Sequence, residues 1–184
     1  MVSEKVQIKF LAGNRVLFKS FYEVPKVQLW HAVTKPEELE NWFMKTDIEI
    51  RVLGKFAFKG GWKGWIENLK VFEYIQYNSS LESFTRLDLI STKNGVELHL
   101  TDQIPEDMIV PTDPGIQHIQ PGGNGTHWVG LLAGWHDFLL ALHSHLLREE
   151  VEDHFDLLCL KYRKILNDRY ALKRPKNSYH LSKR

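Results

Sequence analysis

The chain has 184 residues, of which 43% are hydrophobic, 12% aromatic and 26% charged. Its six Trp, ten Phe and six Tyr are irregularly spaced, which excludes collagenous, coiled-coil and wholly disordered proteins. The formal net charge of +1 gives no support for a nucleic-acid-binding protein, because domains of that class usually carry a clear basic excess. The composition therefore predicts one soluble globular domain.

The charge is distributed unevenly along the chain. Residues 1–168 carry a net charge of −5, whereas residues 169–184 carry +6 and have little apolar surface to bury. We therefore expect a single folded domain over 1–168 and a basic, disordered tail over 169–184. The tail is expected either to remain solvated or to contact an acidic partner.

The sequence also bears on the location of the protein. Cys159 is the single cysteine and cannot form an internal disulfide, and residues 1–10 lack the continuous apolar segment of a secretory signal. The most apolar stretch, Val129–Leu147, is interrupted by histidine and aspartate, so we predict no membrane span. These features favour the cytoplasm.

In the first third of the chain, one strand is followed by two short helices. Val16–Val24 is rich in Val, Phe and Tyr and ends before Pro25, which predicts a strand closed by a helix start. Apolar residues at three-residue spacing then indicate the first helix. Thr34 is predicted to cap the second helix through a capping box, and Trp42 belongs to its buried stripe.

In the middle of the chain, apolar and polar residues alternate in the way that is typical of strands. Strands are predicted over 48–52, 55–59 and Trp65–Ile75, with a turn over 60–64, and Leu81–Thr92 and Val96–Ile104 are predicted to form a hairpin. Asn94 and Gly95 favour a type I′ turn between its strands. Because apolar and polar residues alternate after Gly95, we expect an antiparallel sheet with one covered face.

The last third contains a long loop and two helices. The segment 105–126 holds four prolines and four glycines, which predicts an extended loop of the kind that often forms a lid. A helix is predicted over Trp128–Leu147, followed by an amphipathic helix over about 151–168 with a bend near Arg148–Val151.

This order of elements is typical of the α+β helix-grip fold, in which a curved antiparallel sheet wraps around a long carboxy-terminal helix. Three segments carry family motifs: Leu29–Phe43 (W-x-A-[LV]-T-x-P-E-x-L-x-x-W), Gly54–Phe58 (G-G-x-F-x-F) and Ala133–Leu142 (A-G-W-H-x-x-L-x-x-L). By these motifs the chain resembles the START-like SRPBCC superfamily, and within it the carboxy-terminal domain of the activator of heat-shock-protein-90 ATPase. The resemblance covers roughly residues 15–166 and implies a helix-grip fold with two short helices after the first strand.

Small residues on the long helix predict a cavity beneath it. Gly130, Ala133, Gly134 and Ala141 leave volume that larger side chains facing a concave sheet would fill. The predicted ligand-binding walls are Trp42, Phe56, Phe58, Trp65, Val96, Leu98, Leu100, Gly130, Gly134, Trp135, Phe138 and Leu142. The same residues could also form an ordinary packed core, and the resemblance favours the cavity.

No pattern in the sequence indicates catalysis. A nucleophile elbow, a phosphate-binding loop, a dinucleotide fingerprint and a cysteine pair are all missing from the sequence, as is the helical H-E-x-x-H zinc motif. We expect His136 and His143 to face solvent or to cap helices. Glu67, Glu73 and Asp102 would serve as general bases only if they pointed inward, which we do not expect. We assign no catalytic residue, metal ligand or cofactor.

The sequence thus favours the non-catalytic binding of a small, largely apolar ligand beneath the helix Trp128–Leu147, with the loop 105–125 as a lid. Two alternatives remain open. The first is a chaperone-associated interaction module, which the resemblance implies. The second is an enzyme of the cyclase or hydratase type found in the same superfamily, which would need an inward acid or base.

Overall fold

A computed structural model describes residues 5–103, 127–150 and 152–171, which form one antiparallel sheet and four helices. The strands are β1 (Val6–Phe10), β2 (Arg15–Tyr22), β3 (Thr46–Ile48), β4 (Lys55–Phe58), β5 (Lys63–Lys70), β6 (Tyr74–Asn78), β7 (Phe84–Ser91) and β8 (Val96–Gln103). The helices are α1 (Lys26–Thr34), α2 (Pro36–Trp42), α3 (His127–Leu147) and α4 (Phe155–Ala171). The predicted helix-grip α+β fold is confirmed.

The strands lie in the order β1-β2-β8-β7-β6-β5-β4-β3. Neighbours are consecutive in sequence except between the second and third strands of this order, where β2 pairs with β8 so that Val16 lies opposite Asp102. The predicted strand at Val16–Val24 is confirmed as β2. Strand β1, which pairs with β2 at the sheet edge, was not predicted, although its charged and apolar residues alternate and Gly13 and Asn14 form a turn with positive φ before β2.

The two short helices form as predicted, but Thr34 does not cap the second one. Thr34 is the last residue of α1, and its hydroxyl donates to the carbonyl oxygen of Trp30 at 2.6 Å. The N-cap position of α2 is Lys35, which makes no side-chain cap hydrogen bond. Pro36 in the first turn has no N–H to satisfy, which explains why this helix tolerates a lysine there.

Three predictions for the central strands are wrong in detail. The predicted strand Trp65–Ile75 is two strands, because Phe72 adopts a positive φ of 63° and the chain reverses between β5 and β6. The strand expected at 48–52 ends at Ile48. Gly64, which was assigned to a turn, lies in β5, where a Cβ would overlap the carbonyl oxygen of Asn78 on β6.

The hairpin of β7 and β8 is confirmed, but its turn is not of type I′. Ser91 pairs with Val96, which leaves a four-residue connection over Thr92–Gly95. Neither Asn94 nor Gly95 has the positive φ that a type I′ turn requires. The backbone N–H and the hydroxyl of Thr92 instead bond to the carbonyl oxygen of Gly95 at 2.9 and 3.0 Å.

Helix α3 packs on the inner face of the sheet and is covered by α4. The hydroxyl of Tyr22 on β2 donates to the carbonyl oxygen of Leu139 at 3.1 Å. The predicted bend after α3 is a complete break, because Arg148 has a φ of 58° and the helix ends at Leu147. Helix α4 then begins at Phe155.

His136 was expected to face solvent or to cap a helix, and this prediction is wrong. Its side chain is 0% exposed between α3 and α4, and its Nδ1 lies 2.6 Å from the hydroxyl oxygen of Tyr162. Burial lowers the pKa of His136 to about 4, so the ring is neutral at physiological pH. In the sequence, His136 is a polar residue that interrupts an apolar stretch, which is why it was expected to lie outside the core.

We expect Tyr162→Phe to lower the free energy of unfolding by about 1–3 kcal/mol, because it leaves Nδ1 of His136 buried without its partner. Tyr74→Phe is the matched control, since the hydroxyl of Tyr74 makes an exposed contact of 3.3 Å with Asn68. Urea unfolding followed by tryptophan fluorescence measures both variants. Equal losses in the two variants would contradict a stabilising role for the His136–Tyr162 hydrogen bond.

Candidate functional site

A cavity of about 730 Å³ lies between the inner face of the sheet and the first half of α3. Its walls come from the chain between α2 and β5, from β7 and β8, and from one face of α3. The described lining residues are Phe43, Met44, Phe58, Gly60, Trp62, Ser79, Ser83, Thr85, Asp102, Gln103, Gly130, Leu131, Gly134, Trp135 and Phe138. Most are apolar, and the polar ones come from β7, β8 and the connection between β6 and β7.

Two glycines of α3 help to keep this volume open. Gly130 and Gly134 both line the cavity, and a Cβ built on either residue would meet no described atom outside its own helix backbone within 4 Å. Ala133, which the sequence analysis grouped with them, is fully buried in the core instead. The spacing of the two glycines places them on one helix face, where larger side chains would project into the cavity.

Aromatic rings pack against one another around the cavity. The ring of Trp62 stacks on Phe58 with centroids 4.7 Å apart, and it meets the edge of Trp135 at 5.7 Å. Phe138 lies 5.5 Å from Trp135 and 4.8 Å from Phe43 in edge-to-face geometry. Such rings hold one another in place, so the walls are formed without a ligand.

The structure separates the predicted wall residues into three groups. Phe58, Gly130, Gly134, Trp135 and Phe138 line the cavity. Trp42, Phe56, Val96, Leu98, Leu100 and Leu142 are buried in the core but are not among the described lining residues. Trp65 is half-buried on the other face of β5, with its indole nitrogen 2.6 Å from Glu67. The ligand-binding role of all twelve remains a prediction.

Trp62 was missed because the segment 60–64 was treated as a turn. In the structure this segment leads into β5, and the side chain of Trp62 folds back over β4. The predicted strand began at Trp65, so the alternation of inward and outward side chains was counted from the wrong residue. Phe56 pairs with Gly64, and Lys55 pairs with Trp65. Gly64 therefore lies on the buried face of β4 with Phe56, whereas Trp65 lies on the exposed face with Lys55.

Asp102 points into the cavity, against expectation. Inward residues alternate along β8 from Val96 through Leu98 and Leu100, and the same period places Asp102 on the covered face. Only 5% of Asp102 is exposed. The alternation was visible in the sequence, and extending it by one more step would have identified this residue.

The carboxyl group of Asp102 has uncharged neighbours. The hydroxyl of Thr85 on β7 donates to Oδ1 of Asp102 at 2.6 Å. Burial raises the pKa of Asp102 to about 6, while the hydrogen bond from Thr85 and the nearby indole of Trp135 lower it by a smaller amount. The carboxyl group therefore remains largely ionised at pH 7, although it is buried.

Two further polar groups near the cavity have no hydrogen-bond partner among the described residues. One is the indole N–H of Trp135, which lies near Asp102 but outside hydrogen-bonding geometry. The other is the hydroxyl of Tyr77, which borders a small extension of about 20 Å³ that shares Thr85 and Trp135 with the main cavity. Buried polar groups usually have partners, so these donors are available to a ligand.

Several expectations concern residues or properties outside this site. The predicted lid at 105–125 and most of the predicted tail at 169–184 lie outside the described residues. In the described part of the chain, no helix has the length and hydrophobicity needed to cross a membrane. Cys159 is buried on α4 with its pKa raised by burial, away from the residues that line the cavity.

We expect Asp102→Asn to stabilise the folded protein at neutral pH. Because the folded-state pKa lies above the ordinary value, folding is favoured by protonation of this group, and that contribution is lost as the pH rises from about 4 through 6. The variant should gain up to about 3 kcal/mol over the wild type at pH 7 and little at pH 4. Urea unfolding at several pH values measures the difference.

Asp88→Asn is the control for this measurement. Asp88 lies on the adjacent strand, and its carboxylate accepts hydrogen bonds from Arg86 at 2.7 and 2.9 Å. Removing a carboxylate that has a cationic partner should give no gain in stability at pH 7. A gain for Asp102→Asn that stayed constant between pH 4 and 7 would show that ionisation of Asp102 is not its cause.

Comparisons with solved structures identify proteins of the same fold. The crystal structure of CalU16 from Micromonospora echinospora is 17% identical, covers 92% of this chain and 96% of its own, and has a TM-score of 0.63. EF2215 from Enterococcus faecalis, a conserved protein of unknown function, is 15% identical over 89% of this chain and 91% of its own, with a TM-score of 0.61. DynU16, from the dynemicin biosynthetic locus, is 17% identical over 73% of this chain and 47% of its own, with a TM-score of 0.57.

Similarity at these identities establishes a shared fold, and it carries no information about a shared ligand. No curated protein matches the chain. A family model described as "Activator of Hsp90 ATPase homolog 1-like protein" matches residues 23–128, which is more than half of the chain and extends from the start of α1 to the first turn of α3. The chain therefore belongs to the family of Activator of Hsp90 ATPase homolog 1-like proteins.

Proposed function

We propose that the protein binds a small, largely apolar ligand, without catalysis, in the cavity between the sheet and α3. The observation that carries this proposal is a cavity of about 730 Å³ with mostly apolar walls inside an otherwise well-packed domain. Ligand sites in proteins commonly have about 300–1,000 Å³ and a few polar groups that orient the ligand. Here Asp102, Thr85 and the indole of Trp135 supply those groups.

The aromatic walls support binding over a role in simple core packing. Trp135 contacts both Trp62 and Phe138 edge-to-face, yet each of the three also borders the cavity. Protein interiors normally fill such volumes, since a void forfeits van der Waals contacts. A preformed cavity costs stability in the free protein, and an apolar ligand would recover those contacts.

Catalysis is the second candidate, and the inward carboxyl group of Asp102 is the observation that favours it. An enzyme of the cyclase or hydratase type requires an acid or base in the cavity, and a carboxyl with its pKa raised to about 6 meets that requirement. Mass spectrometry of a candidate ligand after incubation with the protein separates the two functions. Recovery of a chemically altered molecule would replace the binding proposal with this one.

The chaperone-associated alternative rests on family membership alone, and its predicted contact through the basic tail involves residues that lie mostly outside the described ones.

A cytoplasmic location likewise remains part of the proposal. It is supported by the single cysteine, Cys159, which is buried and free.

We expect Gly134→Leu to weaken ligand binding about tenfold or more, because the added side chain projects into the cavity from α3. The probe is N-phenyl-1-naphthylamine, an uncharged molecule whose fluorescence rises in apolar sites. Its dissociation constant is measured by titration, with circular dichroism to confirm folding.

Glu40→Leu is the matched control, because it adds the same side chain at an exposed position of α2. This variant should bind the probe as the wild type does. Binding of the probe with unchanged affinity to folded Gly134→Leu would overturn the proposed site, and failure of the wild type to bind it would overturn the proposed function.

A further inference from the structure

Among the described residues, Asp102 has no cationic partner, whereas the partly buried carboxylates Glu97 and Asp88 each have one. Glu97 on the opposite face of β8 lies 2.6 Å from His99 and 3.5 Å from Lys19, and the contact with His99 lowers its pKa. Asp88 is paired with Arg86. The polar neighbours of the more deeply buried Asp102 in the described part of the chain are a hydroxyl group and an indole.

The described lining of the cavity contains one acidic side chain and no basic side chain. Of its fifteen residues, Asp102 is the only Asp or Glu, and none is Lys, Arg or His. A carboxylate in an apolar cavity without a counter-charge is costly, which is why such groups are usually paired. The residue is therefore a candidate for a group whose counter-charge arrives with the ligand.

The rest of the lining also suits a cation. Indole and phenyl faces carry negative electrostatic potential and attract ammonium groups, with tryptophan the strongest of the side chains. Trp62 and Trp135 both line the cavity, together with Phe43, Phe58 and Phe138. An anionic ligand would meet these faces and the carboxylate of Asp102, and no described lining residue would compensate its charge.

We propose that the ligand is a protonated primary or secondary amine on an aromatic or alicyclic skeleton, with its ammonium group held by Asp102 and its skeleton against the tryptophan and phenylalanine rings. This inference rests on the proposed binding function and gives it a ligand class. It makes Asp102 the residue that determines specificity for charge. The hydroxyl of Thr85 orients the carboxylate, leaving the second oxygen of Asp102 for the ammonium N–H.

The amine requires the ionised form of Asp102, which fixes the sign of the pH dependence. The groups that face this carboxyl are the hydroxyl of Thr85 from β7 and the indole of Trp135 from α3, and neither is charged. With a pKa of about 6, roughly nine-tenths of the carboxyl is protonated at pH 5. The affinity for an amine should therefore fall about tenfold between pH 8 and pH 5, whereas a neutral ligand should show no such loss.

Three isosteric probes test the proposal: 2-naphthylmethylamine, 2-naphthylmethanol and 2-naphthoic acid. Each competes with N-phenyl-1-naphthylamine in a fluorescence titration at pH 5, 6, 7 and 8. We expect the amine to bind at least tenfold more tightly than the alcohol at pH 8, and the acid to bind most weakly. The advantage of the amine should shrink towards pH 5.

Asp102→Asn should abolish the advantage of the amine over the alcohol. The control is Glu97→Gln, which removes a carboxylate from the same strand on the opposite face of the sheet and should retain that advantage. If Asp102→Asn fails to fold, the comparison of amine with alcohol across pH in the wild type still decides. Equal affinities for the two, or an advantage that survives in Asp102→Asn, would overturn this inference.

The uncharged probe separates this inference from the proposed function. Binding of N-phenyl-1-naphthylamine with no preference for the amine would leave the binding function standing and remove the ligand class. Absence of binding by every probe would remove both. Preferential binding of the acid would assign the opposite charge to the ligand and would also overturn the inference.

Discussion

The packing of α3 between the sheet and α4 is the contact on which the rest of the structure depends. At the carboxy-terminal half of the helix the polar groups are paired: the carbonyl of Leu139 accepts from Tyr22, and His143 lies 3.1 Å from the hydroxyl of Ser20. His136 joins α3 to Tyr162 of α4 in the middle of the helix. These bonds hold α3 in place on the sheet, so the lack of side chains at its glycines produces a cavity instead of a closer approach of helix and sheet.

Polar groups are distributed between the two halves of α3 in opposite ways. The half that contacts β2 and α4 holds neutral histidines, the buried His136 and the half-buried His143, since burial lowers the pKa of both to about 4. The half that faces β7 and β8 buries the carboxyl of Asp102 beside an indole N–H that has no partner among the described residues. The neutral histidines carry no cost of ionisation at neutral pH, whereas the ionised carboxyl group is costly to bury there. Unfavourable burial of this kind concentrates at functional sites, because selection retains it only where it serves binding or chemistry.

Apart from β1, which was not predicted, and β5 and β6, which were predicted as one strand, the sequence was sufficient for the order of elements, because hydrophobic periodicity and proline positions determine it locally. It was less informative about the site, since a site depends on which face each strand presents. Trp62 lies just before β5 and Trp65 lies within it. Because they differ by three residues, their side chains point to opposite faces of the sheet, and the choice between them required the pairing of Gly64 with Phe56. Asp102 continued a visible alternation, but a charged residue at an inward position contradicts the usual rule for burial. His136 was likewise expected outside the core because it is polar. Its partner Tyr162, which makes its burial possible, is 26 residues away in the sequence.

The fold and the charge of the cavity depend on different residues of this chain. The family model matches residues 23–128, where the two short helices and most of the sheet are formed, and core side chains such as Ile66, Ile75 and Leu98 are fully buried there without lining the cavity. The charge of the cavity, by contrast, depends on a single inward position near the end of β8. Replacing Asp102 by an apolar residue would leave the pairing of β8 with β2 and β7 intact, because those bonds involve only the backbone. Proteins with this fold can therefore diverge to 15–17% identity, and the fold by itself does not determine which ligand a cavity accepts.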